Sequence, residues 1–263
     1  MNGFILLLLL LYGAHSLNAQ DLVRSDFEVV LVPVMFSSVI IEGAHGSSWE
    51  SEFWVRNAAD EPVIFAHGEP WCYVCGPPPG PILFPAKSTH RPQVAFSQIG
   101  RMSGLFYLER KYSQQVFFSL RVRDTTRNAE SAGTAIPIVR EHELFSGPFE
   151  LLNVPLTDGR VNLRIYSVAG EEASVNVTLY PLGSNDPLSS RLVALEESLF
   201  FEPQQEFPFH PSEALILDLA SWTPSGTGNP VRIRVEPLSE GRFWAFATVT
   251  NNTTQQVTIV APD

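Results

Sequence analysis

Residues 49–56 place Trp49, Ser51, Phe53 and Val55 on one side of an extended chain, and Glu50, Glu52, Trp54 and Arg56 on the other. Successive side chains of a strand point to opposite faces, whereas a helix repeats at a longer period. A stretch with this alternation is a half-buried strand and cannot bury one face as a helix. The pattern returns at Val161, Leu163 and Ile165 against Asn162, Arg164 and Tyr166, and again at Val175, Val177 and Leu179 against Asn176, Thr178 and Tyr180. Turns are expected at 58–62 and 169–172, and residues 63–67 return as the next strand. Residues 29–34 read as a short apolar strand that 35–41 continue. Residues 191–197 and 214–220 read as strands, with helix the alternative for 192–199, inside a run that lacks glycine and proline.

The C-terminal stretch 231–262 reads as three strands joined by polar turns, a meander, and a weaker copy sits at 104–139. Matching Phe53 with Leu163 and Val55 with Ile165 gives an offset of about 110 residues, while matching Phe118, Leu120 and Val122 with Phe243, Ala245 and Ala247 gives about 125. A duplication with one enlarged middle, 181–230, accounts for both offsets. Twenty-one prolines and seventeen glycines between short apolar runs fit many turns and little helix. The expected fold class is all-β: two tandem antiparallel β-sandwich domains, immunoglobulin-like in architecture, over 20–147 and 148–263, with the junction inside 140–155.

Residues 1–19 carry an unbroken apolar run from Phe4 to Tyr12 followed by small residues, the pattern of a signal peptide cleaved after Ala19 or Ser16, although no Lys or Arg precedes the run. That run is too short to cross a bilayer, and no later stretch is long enough, so no membrane span is expected in the mature chain. A secreted protein, periplasmic or extracellular, follows. The net charge of −11 repels phosphate backbones and anionic lipid, which argues against nucleic-acid binding.

Cys72 and Cys75 form WCYVC just before Gly76 and three prolines. In an exported chain a small-loop disulfide is the expected state. A redox pair normally opens a helix, and the prolines leave none to open. A zinc site would need His67 and His90 as further ligands at an irregular spacing. The other histidines, His15, His45, His142 and His210, fall in no catalytic motif, and no nucleophile elbow or phosphate-binding loop is present. The acidic pairs Asp60–Glu61, Glu171–Glu172 and Glu196–Glu197 lack calcium-loop spacing. No cofactor, no metal and no enzymatic activity are expected.

Aromatic residues are the sharpest feature. Trp54 falls on the polar face of its strand beside Arg56, and Trp71 lies in the proline-rich loop. Trp244 and Phe246 oppose Phe243, Ala245 and Ala247, making that strand apolar on both faces. Either such faces are covered, by packing between domains or by the Phe-rich loop at 200–211, or they offer an exposed platform to a partner. Outward Arg121, Arg123, Arg164, Arg232 and Arg234 are expected to pair with acids on neighbouring strands. Trp54, Trp71 and Arg56 are the candidate binding residues. The partner is expected to be a protein or cell-surface component, with a glycan as the alternative.

The segments SEFWVRNAADEPV at 51–63, FSLRVRDTTRNAES at 118–131 with IPIVRE at 136–141, LLNVPL at 151–156 with LRIYS at 163–167, and RFWAFATVTNNTTQQVTIVAP at 242–262 resemble a family of uncharacterised secreted bacterial proteins built from tandem immunoglobulin-like sandwiches. The resemblance covers most of the mature chain and implies an exported, non-enzymatic β protein. It carries over no functional residues.

Overall fold

The computed structural model describes residues 26–34, 41–42, 46–67, 82–92, 103–126, 132–157, 159–169, 173–196, 210–224 and 230–262. The chain is all-β, with four antiparallel sheets and no α-helix among these residues. Sheet I contains β1 (Phe27–Val32), β4 (Val63–His67), β5 (Ile82–Phe84), β7 (Gly104–Glu109) and β10 (Val139–Arg140), in the order β10-β1-β7-β4-β5. Sheet II contains β2 (Ile41–Glu42), β3 (Ser48–Asn57), β8 (Val116–Asp124) and β9 (Thr134–Ile136) in chain order, and β6 (Ser88–His90) pairs with the far end of β3. Sheet III runs β15-β12-β17-β18, with β12 (Gly159–Ala169), β15 (His210–Ile216), β17 (Arg242–Asn251) and β18 (Val257–Val260). Sheet IV runs β11-β16-β13-β14, with β11 (Phe149–Val154), β13 (Ala173–Pro181), β14 (Ser189–Leu195) and β16 (Val231–Pro237).

The two pairs of sheets share one connectivity. β7 lies between β1 and β4 as β16 lies between β11 and β13, and β8 lies between β3 and β9 as β17 lies between β12 and β18. β6 pairs with β3 as β15 pairs with β12. In the second pair the first strand adjoins the sixth and the second adjoins the fifth and seventh. Immunoglobulin domains instead order their sheets A-B-E-D and C-F-G, so the likeness is one of layered architecture and does not extend to strand order.

The expected C-terminal meander does not form. β16 sits in sheet IV and β17 in sheet III; only β17 and β18 pair. The chain crosses from one layer to the other because Val231, Ile233 and Val235 and the facing Phe243, Ala245 and Ala247 all close on the same core. Register also corrects the offsets. Phe53 pairs with Leu120 and Leu163 with Ala247, so an offset of 110 in one strand requires 127 in its partner. The run at 189–195 is strand and not helix, whereas the strand expected at 214–220 ends at Ile216 and gives way to a 3-10 turn at Leu219–Trp222. Within the expected junction, 149–154 is a sheet strand. β1 stops at Val32, and 35–40 lie outside the described residues, as does the leader at 1–19.

Two hydrophobic clusters hold the sheets together. In the first, Phe53 and Phe118 from sheet II meet Phe65 and Phe106 from sheet I, with the Phe65 and Phe106 rings stacked 4.4 Å apart. Such ring pairs add about 0.5–1.5 kcal/mol beyond the area they bury. β1 and β7 are buried on both faces, which explains their near-continuous apolar sequences FEVVLV and GLFYLE. Their second face is covered by Tyr166, Val168, Trp244 and Phe246 of sheet III, which belong to the same cluster. The Tyr166 hydroxyl donates to the Pro33 carbonyl at 2.7 Å, fully buried. The cover over Trp244 therefore comes from the first pair of sheets. The Phe-rich loop at 200–209 lies outside the described residues.

A candidate interaction face

The outward face of sheet II is built by cross-strand rows. Glu50 stands opposite Arg123, Glu52 opposite Arg121, Trp54 opposite Ser119 and Arg56 opposite Phe117. Alternation turns Phe53, Val55, Val116 and Leu120 into the core and leaves this set outside. At the charged end of the face the charges pair with one another. Arg123 pairs with Glu50 at 3.2 Å and Glu52 at 3.4 Å, and Arg91 reaches Glu50 at 3.0 Å. The Arg91 hydrogen bond holds the Glu50 carboxyl below the usual carboxylate range against the opposing effect of burial, and Arg123 adds to the lowering. Arg121 instead donates to the Ala132 carbonyl.

The other end is open. Trp54 is 41% exposed and Phe117 55% exposed, on adjacent strands of a sheet whose opposite face is dry. Arg56 is exposed and has no ion-pair partner among the described residues. The face is rigid at this end because Asn57, wholly buried, pins the turn that follows. Its side-chain amide donates to the carbonyls of Glu61 (2.9 Å), Phe84 (3.1 Å) and Pro85 (3.0 Å), and its oxygen accepts the Ala59 N–H at 2.9 Å. Two exposed aromatics, one free guanidinium and a rim of matched charges make a surface suited to burying a partner's apolar side chains.

Beside Phe117 a crevice of about 550 Å³ opens along β8, where β9 covers only Leu120 to Val122. His142 and Glu143 stand at its far wall, and they also border a second crevice of about 390 Å³ against Trp244. His142 is exposed and makes no hydrogen bond or ion pair to the described residues, so no carboxylate among them orients it for acid–base chemistry.

Of the residues singled out in the sequence, Trp54 and Arg56 come together on this face. Trp71, Cys72 and Cys75 lie outside the described residues, as do the side chains of His67 and His210. His90 is half-buried with its ring 6.0 Å from Phe84. No group of three His, Cys, Asp or Glu side chains that could hold a metal occurs among the described residues, and no helix there is long and apolar enough to cross a membrane. Phe117 was legible as the outward neighbour of Phe118 in VFFSLRVRD, yet only the register with Arg56 makes it part of a site. Elsewhere Arg232 pairs with Glu150 across strands at 2.8 Å and lies over the Tyr180 ring, so it is fully engaged. Arg234 has only a 3.9 Å approach to Glu236 on its own strand.

Fold and face together define an all-β sandwich protein with an exposed aromatic surface. Compared with known proteins, the chain matches no family model, no curated protein and no solved structure.

Proposed function

We propose that this is a secreted, non-enzymatic binding module that engages a protein or cell-surface partner through the Trp54–Arg56–Phe117 end of sheet II. The exposure of Trp54 and of Phe117, diagonal to it across β3 and β8, carries the reading, because the equivalent strands of sheet III bury their outward aromatics under the same chain. Export rests on the leader pattern at 1–19, the tandem description on the shared connectivity of the two sheet pairs, and the immunoglobulin-like description on the layered architecture and the sequence resemblance.

A protein partner is favoured over a sugar because Trp54 is flanked by a second apolar ring. Sugar platforms set an exposed ring beside several unengaged Asn, Asp or Arg groups, whereas here Glu52 and Arg121 are engaged with Arg123 and the Ala132 carbonyl. The test is affinity capture from the producing cell's surface with wild-type, Trp54→Ala and Phe117→Ser proteins, alongside a glycan array. Loss of the same captured partner in both variants, with folding unchanged, supports the reading; retention in both overturns it. Glycan binding abolished by Trp54→Ala would make the module lectin-like.

A further inference from the structure

We propose that the outer edge of β14 is an interface between two copies of this chain, which pair β14 with β14 antiparallel about a two-fold axis at Leu192 and join two sheets IV into one. Hydrogen-bond direction defines the edge. The Leu238 N–H donates to the Ser174 carbonyl at 3.0 Å in the register of β13 with β16, so Ser174, Asn176 and Thr178 bond toward β16. Neighbouring residues of a central strand bond to opposite sides, so Val175, Val177 and Leu179 bond toward β14, where Val175 faces Val193 and Val177 faces Arg191. Ser190, Leu192 and Ala194 therefore send their N–H and C=O groups away from the sheet. Glu196 points the same way and uses its pair on Glu213, N to O at 3.2 Å in each direction. The backbone groups of Ser190, Leu192 and Ala194 meet no such partner among the described residues.

An exposed edge is a template for pairing, and the other strands that end a sheet each carry a device against it. β2 and β10 are two residues long, β5 and β9 three, and β18 four. β11 shifts register between Leu151 and Val154, and β15 contains Pro211 and is met by Glu196. β14 has none of these. It runs seven residues, Ser189–Leu195, in unbroken register with β13 and contains no proline, glycine, lysine or acid. Its one charge, Arg191, lies over the Trp222 ring at 4.4 Å and is drawn off the edge. Leu192, at the midpoint, is 71% exposed on the outward face. The pattern is complementary to itself, which selects a second copy as the occupant. Antiparallel pairing about Leu192 sets Leu192 against Leu192 and Ser190 against Ala194, so every outward N–H meets an outward C=O. The two Leu192 side chains then cover one another across the axis. Arg191 falls opposite Val193, so no like charges meet.

Sedimentation and amide hydrogen exchange test the assignment, on the whole chain as exported and on a Leu192→Lys variant that sets two like charges together at the axis. The wild type is expected to sediment with the mass of two chains at about 100 μM and the variant with that of one. The Ser190 and Ala194 amides should exchange at least about tenfold faster in the variant. Amides of Arg191 and Val193, which bond to β13, should be equally protected in both and report that the fold is intact. Leu192→Pro, which removes an N–H that faces away from β13, should also give single chains, whereas Trp54→Ala should still pair. A wild type that stays a single chain at about 100 μM overturns the proposal. So does a two-chain mass that survives both Leu192 variants, Leu192 protection in a single-chain species, which would mean that the chain covers its own edge, or protection gained only with a strand from another protein.

Discussion

The Tyr166→Phe substitution isolates one hydrogen bond on which the two pairs of sheets meet. Tyr166 belongs to β12 of sheet III, and its hydroxyl is the donor to Pro33, at the end of β1 in sheet I. Both groups are buried, and the ring stacks near Trp244 and Phe246 at centroid distances of 6.2 Å. Phenylalanine keeps that ring packing and removes only the donor. What is lost is a net hydrogen bond plus the desolvation of a carbonyl left without a partner, about 1–3 kcal/mol. For a chain of this size each kcal/mol lowers Tm by about 2–4 °C, so a fall of about 2–12 °C is expected. Thermal and urea unfolding read it, and the urea m-value should be unchanged because the surface exposed on unfolding is the same. Burial also pushes the Tyr166 phenol well above its ordinary pKa. The folded state therefore favours the neutral form, and this contribution is complete below about pH 10 and is lost above it, where the unfolded chain ionises. Spectrophotometric titration should show the same number of phenols ionising near pH 10 in the folded wild type and folded Tyr166→Phe, and one more in the unfolded wild type than in the unfolded variant. A Tm shift under 1 °C with a phenol titrating near pH 10 would refute the buried bond and with it the dry packing between the sheet pairs.

Three further outcomes follow from particular contacts. Arg140 on β10 pairs with the nearly buried Glu28 of β1 and bonds the β8 backbone, so Arg140→Ala should cost about 3–5 kcal/mol by stranding the carboxylate, whereas Glu28→Leu with Arg140→Met together should cost far less in denaturant titration. Asn57→Ala removes the donor to three carbonyls and should destabilise by about 2–4 kcal/mol, with faster exchange in 58–62. Because Arg91 and Arg123 depress the Glu50 pKa, its contribution is full above the ordinary carboxylate range and lost as pH falls through its lower folded value. Glu50→Gln should lower Tm slightly at pH 7, where the contribution is full, and flatten the pH dependence of Tm below about pH 4.5.

The pleat is a local property, so residues 49–56 announced both their strand and its faces: Trp49, Ser51, Phe53 and Val55 turn inward and Trp54 and Arg56 outward, as the alternation requires. The apolar doubling of RFWAFA likewise announced a strand apolar on both faces. What sequence could not decide was the partner of each strand. Pairing joins residues far apart in the chain, and β16 and β17, consecutive and equally strand-like, part into different sheets because both apolar faces must close on one core from opposite sides. The same limit governs the site. Trp54 and Trp244 both read as aromatics on an outward face, and only the stacking of sheet III against the second face of sheet I buries one while leaving the other in water. Alternation fixes which way a side chain points; what lies beyond it is set by the tertiary packing of distant strands.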